Sequence, residues 1–205
     1  MSQPAQQTIP KEKFLVIAAN LLSRRIDPAE TASRVLFADA AGAVLLRPCA
    51  DPTRGLVAHD LGSDGSRYGM IRIEKGGSRL PFTSASEGGL SMRMTDGRAV
   101  FAAAVETMVE SGRRVLAAAG LAPEQIATWV PHQANGRIID QVGRALGLTA
   151  AEWLGTLARH GNSSAATMPL ALSDRLSAGS PMRRGHVLLS AFGAGALWGA
   201  AIWAT

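Results

Sequence analysis

The chain has 205 residues, of which 47% are hydrophobic and 18% are charged, and its formal net charge is +5. A chain of this length and apolar content can bury a sizeable core as one domain, so two unrelated domains are not favoured. Of the 21 basic residues, 18 are scattered arginines, and aromatic residues make up only 5% of the chain. This composition argues against nucleic-acid binding and leaves two interpretations, an acidic protein partner or a simple compositional bias.

Cysteine, histidine and apolar content exclude further classes of protein. The one cysteine excludes an internal disulfide framework and is typical of the reducing cytoplasm. The four histidines are far apart in sequence, so no metal site is expected. Residues 1–12 lack the apolar segment of a signal peptide and predict a disordered lead-in. Glycines interrupt the apolar run over 187–204, which favours two buried strands over a membrane span.

The first third of the chain predicts strands and loops. Phe14 to Ala19 is a continuous apolar run, typical of a buried parallel strand, and Arg34 to Leu46 has the same texture. We expect both strands to be central in a sheet. Gly55 to Asp60 predicts another strand, and the Gly- and Ser-rich stretch over 62–97 predicts an irregular insertion that covers a pocket.

Helical periodicity then begins at Arg98 and ends at Gly120, and Pro123 starts a short helix before the next strand. That strand ends at Val130, since Pro131 is expected to interrupt the ladder. Asn135 is a good N-cap for a helix that Gly147 ends, with one apolar face made of Ile138, Ile139, Val142 and Leu146.

The last quarter of the chain also alternates between predicted strands and predicted helices. Trp153 to Ala158 predicts a short strand, and Asn162, Ser163 or Ser164 caps a helix that runs through Leu176 to Gly179. Strands over 186–192 and 196–203, joined through 193–195, predict a hairpin at the edge of the sheet. The alternation of strands and helices predicts an α/β layered fold.

His132 stands where a buried strand stops and a helix begins. In open α/β sheets, ligands bind at the carboxyl ends of strands, where helix N-termini expose free N–H groups. The position therefore favours a catalytic histidine. The alternative is an ordinary loop histidine satisfied by hydrogen bonds.

Four motifs occur in a characteristic order: Phe37-Ala-Asp-Ala-Ala-Gly-Ala43, Pro131-His-Gln-Ala-Asn135, His160-Gly-Asn-Ser-Ser-Ala-Ala166 and Phe192-Gly-Ala-Gly195 followed by Trp198-Gly199. Together they resemble the C-terminal half of β-ketoacyl-acyl carrier protein synthase III, of the thiolase-like superfamily. The resemblance runs from about Lys13 to Thr205. It implies a thiolase-like layered fold, with residues 13–53 as the tail of the N-terminal repeat and residues 54–205 as the C-terminal domain.

The resemblance also implies a reaction, the decarboxylative condensation of an acyl thioester with malonyl-acyl carrier protein. His132 and Asn162 match the family's catalytic histidine and asparagine, whose neutral N–H groups stabilise the enolate oxygen. Without the motif, Asn162 is equally well explained as a helix cap. The loop Gly193, Ala194 and Gly195 matches the family's oxyanion-hole loop, or else is simply a tight hairpin; Ala194 replaces a glycine that many relatives have.

Further positions match the family's substrate contacts. Gly97, Ala134 and Asn135 match residues of the pocket for the phosphopantetheine arm, and Phe192 is a further expected substrate-binding residue. Arg137 matches a surface arginine for carrier-protein docking. Without the motif, the sequence favours the alternative that Arg137 is a solvated residue on the helix surface. Acyl-coenzyme A and malonyl-acyl carrier protein are expected as substrates, with no other cofactor. Thr31 stands where many relatives have an arginine that contacts coenzyme A.

The acyl-carrying cysteine of the family has no match in this chain. Cys49 lies in a loop between Pro48 and Pro52 and lacks the strand-to-helix turn that activates such a thiol. We therefore expect an acyltransferase half that needs a cysteine-bearing companion. The alternatives are a non-catalytic subunit or fragment, and acyl transfer to oxygen or nitrogen on the same fold.

Overall fold

A computed structural model gives the architecture of the chain and describes residues 12–27, 29–83 and 89–205. The strands are β1 (Phe14–Asn20), β2 (Ala40–Leu46), β3 (Gly55–Ser63), β4 (Ile71–Ile73), β5 (Met92–Met94), β6 (Ile126–Pro131), β7 (Glu152–Trp153), β8 (His186–Gly193) and β9 (Leu197–Ala204). The α-helices are α1 (Thr31–Arg34), α2 (Gly97–Ala119), α3 (Gly136–Leu146), α4 (Leu157–His160) and α5 (Thr167–Ser177). The predicted disordered lead-in falls mostly on residues 1–11, which lie outside the described part, and it stays a prediction. The two predicted domain boundaries also stay predictions.

A five-stranded sheet forms the centre of the molecule, with the strand order β3-β9-β8-β6-β7. β6 is parallel to β7 and β8, whereas β9 is antiparallel to β8 and β3. The predicted hairpin of β8 and β9 is present, but its predicted place at the sheet edge is wrong. β3 pairs with β9 from Gly55 to Ser63 and takes the edge position itself.

Helices cover both faces of this sheet, as the alternating pattern predicts. α2 packs against β3, β8, β9 and α3 on one face, and α5 packs against β6 on the other. Successive side chains of a strand point to opposite faces, so Trp129 and Val130 enter two different cores. The larger core contains the buried side chains of α2 and α3, and the smaller core contains Ala171 of α5.

The ends of the two long helices lie where the sequence places them. The side chain of Asp96 accepts hydrogen bonds from the first two N–H groups of α2 that follow Gly97, and Gly120 ends this helix with a φ of 66°. Asn135 caps α3 by accepting from Arg137 N, and Gly147 ends it with a φ of 73°. Glycine tolerates this left-handed conformation because it has no Cβ.

β1 and β2 form a separate two-stranded antiparallel sheet, named here the β1–β2 ribbon. The prediction of buried parallel strands is therefore wrong. α5 covers the face of β2 that carries Gly42, and the β1 side chains from Phe14 to Ile17 remain 52% to 66% exposed. The continuous apolar pattern of β1 is typical of a strand covered on both faces, a cover that the described residues do not supply.

Two local predictions also need correction. Pro131 does not interrupt the ladder: it pairs with Ser190, and His132 N then donates to Ser190 O at 2.7 Å. Trp153 to Ala158 is not a strand, because β7 ends at Trp153 and α4 begins at Leu157. The described residues contain no helix that is long and apolar enough to cross a membrane.

Candidate active site

His132 lies at the carboxyl end of β6, and its backbone is held by the central sheet. The N–H of His132 donates to Ser190 O, and the indole Nε1 of Trp129 donates to Ser190 Oγ at 2.9 Å. Both bonds join β6 to β8 at one residue. The position of His132 is therefore set by buried, paired strands, as an active-site side chain requires.

Gln133, which the sequence motifs do not mark as functional, shapes the loop between β7 and α4. Its side chain is fully buried; Nε2 donates to Leu154 O at 2.9 Å, and Oε1 accepts from the N–H groups of Thr156 and Leu157 at 2.7 and 2.9 Å. One amide thus satisfies three backbone groups that a strand would pair. These bonds explain why the chain leaves β7 after Trp153 and turns into α4.

Asn162 is buried between the β1–β2 ribbon and the start of α5. Its backbone forms an isolated bridge, in which Asn162 N donates to Leu36 O at 2.9 Å and Ala38 N donates to Asn162 O at 3.0 Å. The side-chain Oδ1 accepts from Ser164 N at 3.0 Å. Asn162 thus caps the turn before α5, and this use of Oδ1 leaves both Nδ2 protons free to donate.

A short chain of hydrogen bonds connects Asn162 with His132. His132 Nδ1 lies 3.3 Å from Thr167 Oγ1, and the Thr167 hydroxyl donates to Ser164 O at 2.6 Å. Ser164 in turn holds the amide of Asn162. The structure therefore brings the two predicted catalytic side chains together through Ser164 and Thr167, neither of which the sequence motifs single out as functional.

The environment of His132 favours its neutral form. Desolvation lowers the pKa of the ring from 6.5 to about 4, and a hydrogen bond with the Ser164 backbone opposes this shift weakly. A ring with this pKa is neutral at pH 7, so one of its nitrogens carries a proton and the other a lone pair.

The loop Gly193, Ala194 and Gly195 joins β8 to β9, beyond the point where His132 meets Ser190. It lines a small cavity of about 10 Å³ together with Phe192 and Val100, and neither His132 nor Asn162 lines this cavity. About 10 Å of strand separates Ser190 from Gly193 at 3.3 Å per residue. That this loop shares a substrate oxygen with His132 therefore stays a prediction.

Ala194, and the two alanines at positions 38 and 40 of the first motif, adopt their backbone conformations without strain. Among the described residues, Ser164 is the only non-glycine with a positive φ, at 54°. Ala38, Ala40 and Ala194 therefore adopt conformations open to any L-residue. Alanine at these three positions is compatible with the local backbone.

The predicted substrate contacts are spread over several elements. Gly97 is the first residue of α2, Ala134 packs partly buried against the larger core, and the side chain of Asn135 is engaged in capping α3. Phe192 is buried, and Arg137 is exposed on α3. A wider cleft of about 420 Å³ lies elsewhere, between Asp27, Ala29 and Glu30 and the residues 91–95 of the predicted pocket-covering insertion.

Cys49 lies at the opposite end of β2 from the candidate catalytic residue Asn162. Asn162 bridges Phe37 and Ala38, which precede Ala40 at one end of β2, whereas Cys49 follows Leu46 at the other end. At about 3.4 Å per residue, β2 alone spans roughly 20 Å between those ends. Within the described residues, no group of three His, Cys, Asp or Glu side chains is arranged to hold a metal ion.

Two family models match the chain. The model of 3-oxoacyl-(acyl-carrier-protein) synthase III matches residues 5–65, and the model of the C-terminal part of the same synthase matches residues 116–205. The chain belongs to the 3-oxoacyl-(acyl-carrier-protein) synthase III family. The predicted family and the predicted α/β thiolase-like fold are both confirmed.

Curated relatives and solved structures agree with this assignment. The chain is 48% identical over 185 residues to a 3-oxopimeloyl-(acyl-carrier-protein) synthase of Rhodothermus marinus, covering 89% of this chain and 53% of the relative. It is 41% identical to a β-ketoacyl-(acyl-carrier-protein) synthase III of Rhodopirellula baltica, covering 92% and 60%. The crystal structure of the synthase III of Aquifex aeolicus superposes with a TM-score of 0.82 at 32% identity, covering 94% and 58%. The chain thus spans a little over half the length of these relatives.

Proposed function

We propose that this chain forms the malonyl-thioester half of a decarboxylative ketoacyl synthase. The observation that carries the proposal is the hydrogen-bonded connection of His132 and Asn162 at the carboxyl end of β6. The names of the relatives support the reaction class, since each is a 3-oxoacyl, β-ketoacyl or 3-oxopimeloyl carrier-protein synthase. The proposed substrates are malonyl-acyl carrier protein and an acyl thioester, with no other cofactor, in the cytoplasm.

The chemistry requires stabilisation of a negatively charged oxygen. When carbon dioxide leaves the malonyl group, the electron pair of the broken carbon–carbon bond forms an enolate whose charge rests on the thioester oxygen. A preorganised hydrogen-bond donor at this oxygen lowers the barrier by about 3 kcal/mol. The free Nδ2 protons of Asn162 supply such a donor, and the adjacent ring of His132 provides the second contact.

The acyl-carrying cysteine is proposed to come from a segment outside these 205 residues. Cys49 lies beyond the far end of β2 from Asn162, and the apolar β1–β2 ribbon offers a surface for a companion. The relatives also extend well beyond the matched region. The catalytic unit then consists of this chain and a cysteine-bearing N-terminal half, in one longer chain or in two.

Helix α3 is the proposed docking surface for acyl carrier protein. Arg137 and Arg144 are exposed and seven residues apart, which places them on the same side of the helix. Neither arginine forms an ion pair with a residue that the structure describes. Unpaired arginines on one helix face attract an acidic protein at long range, and this attraction is screened by salt.

A reconstitution experiment tests the proposal. The chain alone, incubated with acyl-coenzyme A, is expected to show no covalent adduct by intact mass spectrometry. Mixed with the remaining N-terminal portion of the Rhodothermus marinus relative, it is expected to form an adduct on that portion and to condense it with malonyl-acyl carrier protein. Asn162→Asp keeps the size of the side chain but removes the amide donor, and should lower the condensation rate at least about 100-fold.

Three results would contradict the proposal. An adduct on Cys49 that is converted to product would make Cys49 the nucleophile. Full activity of Asn162→Asp would remove the proposed oxygen-binding role. Transfer of the acyl group to an alcohol or amine, without release of carbon dioxide, would assign the same fold to a different acceptor.

A further inference from the structure

Ser164 and Thr167 connect the two candidate catalytic side chains, and their hydrogen bonds are directional. The Thr167 hydroxyl has a single proton, and its 2.6 Å contact with the carbonyl oxygen of Ser164 uses that proton. Thr167 Oγ1 can therefore only accept a hydrogen bond from His132 Nδ1, which lies 3.3 Å away, and the backbone of Ser164 is a second hydrogen-bond partner of the ring. Thr167 is fully buried, so water does not compete for its hydroxyl.

The conformation of Ser164 is what aims its carbonyl at Thr167. Its φ of 54° is left-handed, a conformation that costs a non-glycine residue free energy and is kept only where the surroundings enforce it. In this conformation the N–H of Ser164 binds Asn162 Oδ1, while the carbonyl oxygen accepts from Thr167. One strained residue thus orients the amide of Asn162 and fixes the hydroxyl beside His132.

We infer that Thr167 is a positioning residue that holds the proton of neutral His132 on Nδ1 in the unliganded protein. Nε2, the ring nitrogen left for a substrate, then carries a lone pair. The resting site presents one donor, the amide of Asn162, and one acceptor, the ring of His132. This inference deepens the proposed function, because it specifies the state from which His132 acts.

The same geometry describes how His132 becomes a donor. If the Thr167 hydroxyl rotates away from Ser164 O, it can donate to Nδ1, which must then carry the lone pair. The change of tautomer removes one proton from Nδ1 and places one on Nε2, so the number of protons on the ring and its charge stay the same. Nε2–H can then donate to a substrate oxygen, at the expense of the bond between Thr167 and Ser164.

Nitrogen-15 NMR of the ring tests the inference without any need for activity. The full chain is labelled with nitrogen-15 on histidine and studied by magic-angle-spinning NMR at pH 7. This method works whether the chain is monomeric or associated. Correlations of Nδ1 with Cγ and of Nε2 with Cδ2 identify the protonated nitrogen. The signals that disappear in His132→Gln belong to His132, among the four histidines of the chain.

In the unliganded wild-type chain, we expect the Nδ1–H form to predominate. Thr167→Val has nearly the same shape but no hydroxyl, and should shift the tautomer ratio toward Nε2–H at least about fivefold, the effect of one net hydrogen bond. Thr167→Ser restores the hydroxyl and should restore the wild-type ratio.

A wild-type ring protonated on Nε2 would overturn the inference, and this result requires no variant to fold. An unchanged ratio in Thr167→Val, or an equal shift in Thr167→Ser, would also overturn it, because the hydroxyl would then not set the proton position. Failure of the condensation experiment would leave these spectra unchanged, so the two proposals fail separately.

Discussion

His132 combines its proposed chemical role with a cost in stability at low pH. Its ring is desolvated in the folded chain, which lowers its pKa from 6.5 to about 4, whereas the unfolded chain exposes it to water. Between these two pKa values the unfolded state binds more protons than the folded state, so acid favours unfolding. Above the unfolded pKa the ring is neutral in both states and has no such effect.

For the wild type, the His132 contribution to the free energy of unfolding should decrease as the pH falls from 6.5 to 4, by at most about 3 kcal/mol, and then level off. Urea unfolding of wild type and His132→Gln at several pH values checks this. The other titrating groups are common to both proteins, so the difference between the two curves isolates His132. A constant difference between pH 4 and 7 would show that the ring is not desolvated.

At the scale of elements, the approach of β2 to α5 depends on Gly42. A Cβ placed on Gly42 would lie 2.8 Å from Cβ and 2.9 Å from Cγ of Pro169, which is closer than real Cβ contacts come. Pro169 is a rigid ring within α5, two residues after Thr167, and cannot move aside as a flexible side chain does. Gly42 therefore sets the distance between the ribbon and the helix that carries Thr167.

Replacement of Gly42 by alanine should destabilise the chain by about 1 to 3 kcal/mol, since the overpacked contact forces β2 and α5 apart. Gly65→Ala is the matched control, because a Cβ at Gly65 meets no atom within 4 Å and its φ is not positive. Chemical denaturation of the three proteins measures the difference. Equal stability of Gly42→Ala and Gly65→Ala would mean that the ribbon is not packed tightly against α5.

Local signals predict the two long helices α2 and α3 and their ends, because these depend on neighbouring residues. The predicted cap Asn135 and the terminal glycines Gly120 and Gly147 act on backbone groups within a few positions. The pairing of β9 with β3 could not be predicted in this way, since it joins segments about 140 residues apart. An apolar run specifies a buried strand but not its partner.

Local sequence signals also do not specify the long-range contacts of the candidate site. Motif resemblance identifies His132 and Asn162, and their positions after β6 and before α5 follow from strand and cap signals. Gln133 and Thr167 could not be recognised, because their roles arise from contacts with Leu154, Ser164 and His132 that only the folded chain brings within reach. A buried glutamine or threonine has no distinctive local pattern.

At the scale of the whole molecule, the helices cover the five-stranded sheet and the β1–β2 ribbon unequally. α2 and α3 cover one face of the five-stranded sheet, and α5 lies between its other face and the ribbon. Paired residues of an antiparallel ribbon share a face, so Leu15, Ile17 and Leu45 lie on the side away from Gly42 and α5. These three side chains are 60%, 66% and 58% exposed. Such an apolar patch is typical of an interaction surface.

The last prediction follows from that patch. Without a companion, the chain should self-associate through the ribbon, so that its weight-average mass in sedimentation experiments rises with concentration above the 21.4 kDa of the monomer. Each buried Leu or Ile side chain contributes about 1.5 to 3 kcal/mol, so Leu15→Lys and Ile17→Lys should each weaken association about tenfold or more. Leu61→Lys alters an apolar residue that is 76% exposed on β3, and should leave association unchanged. A wild type that stays monomeric at every concentration, or lysine variants that associate equally well, would mean that the ribbon needs no cover, and would remove one support for a cysteine-bearing companion.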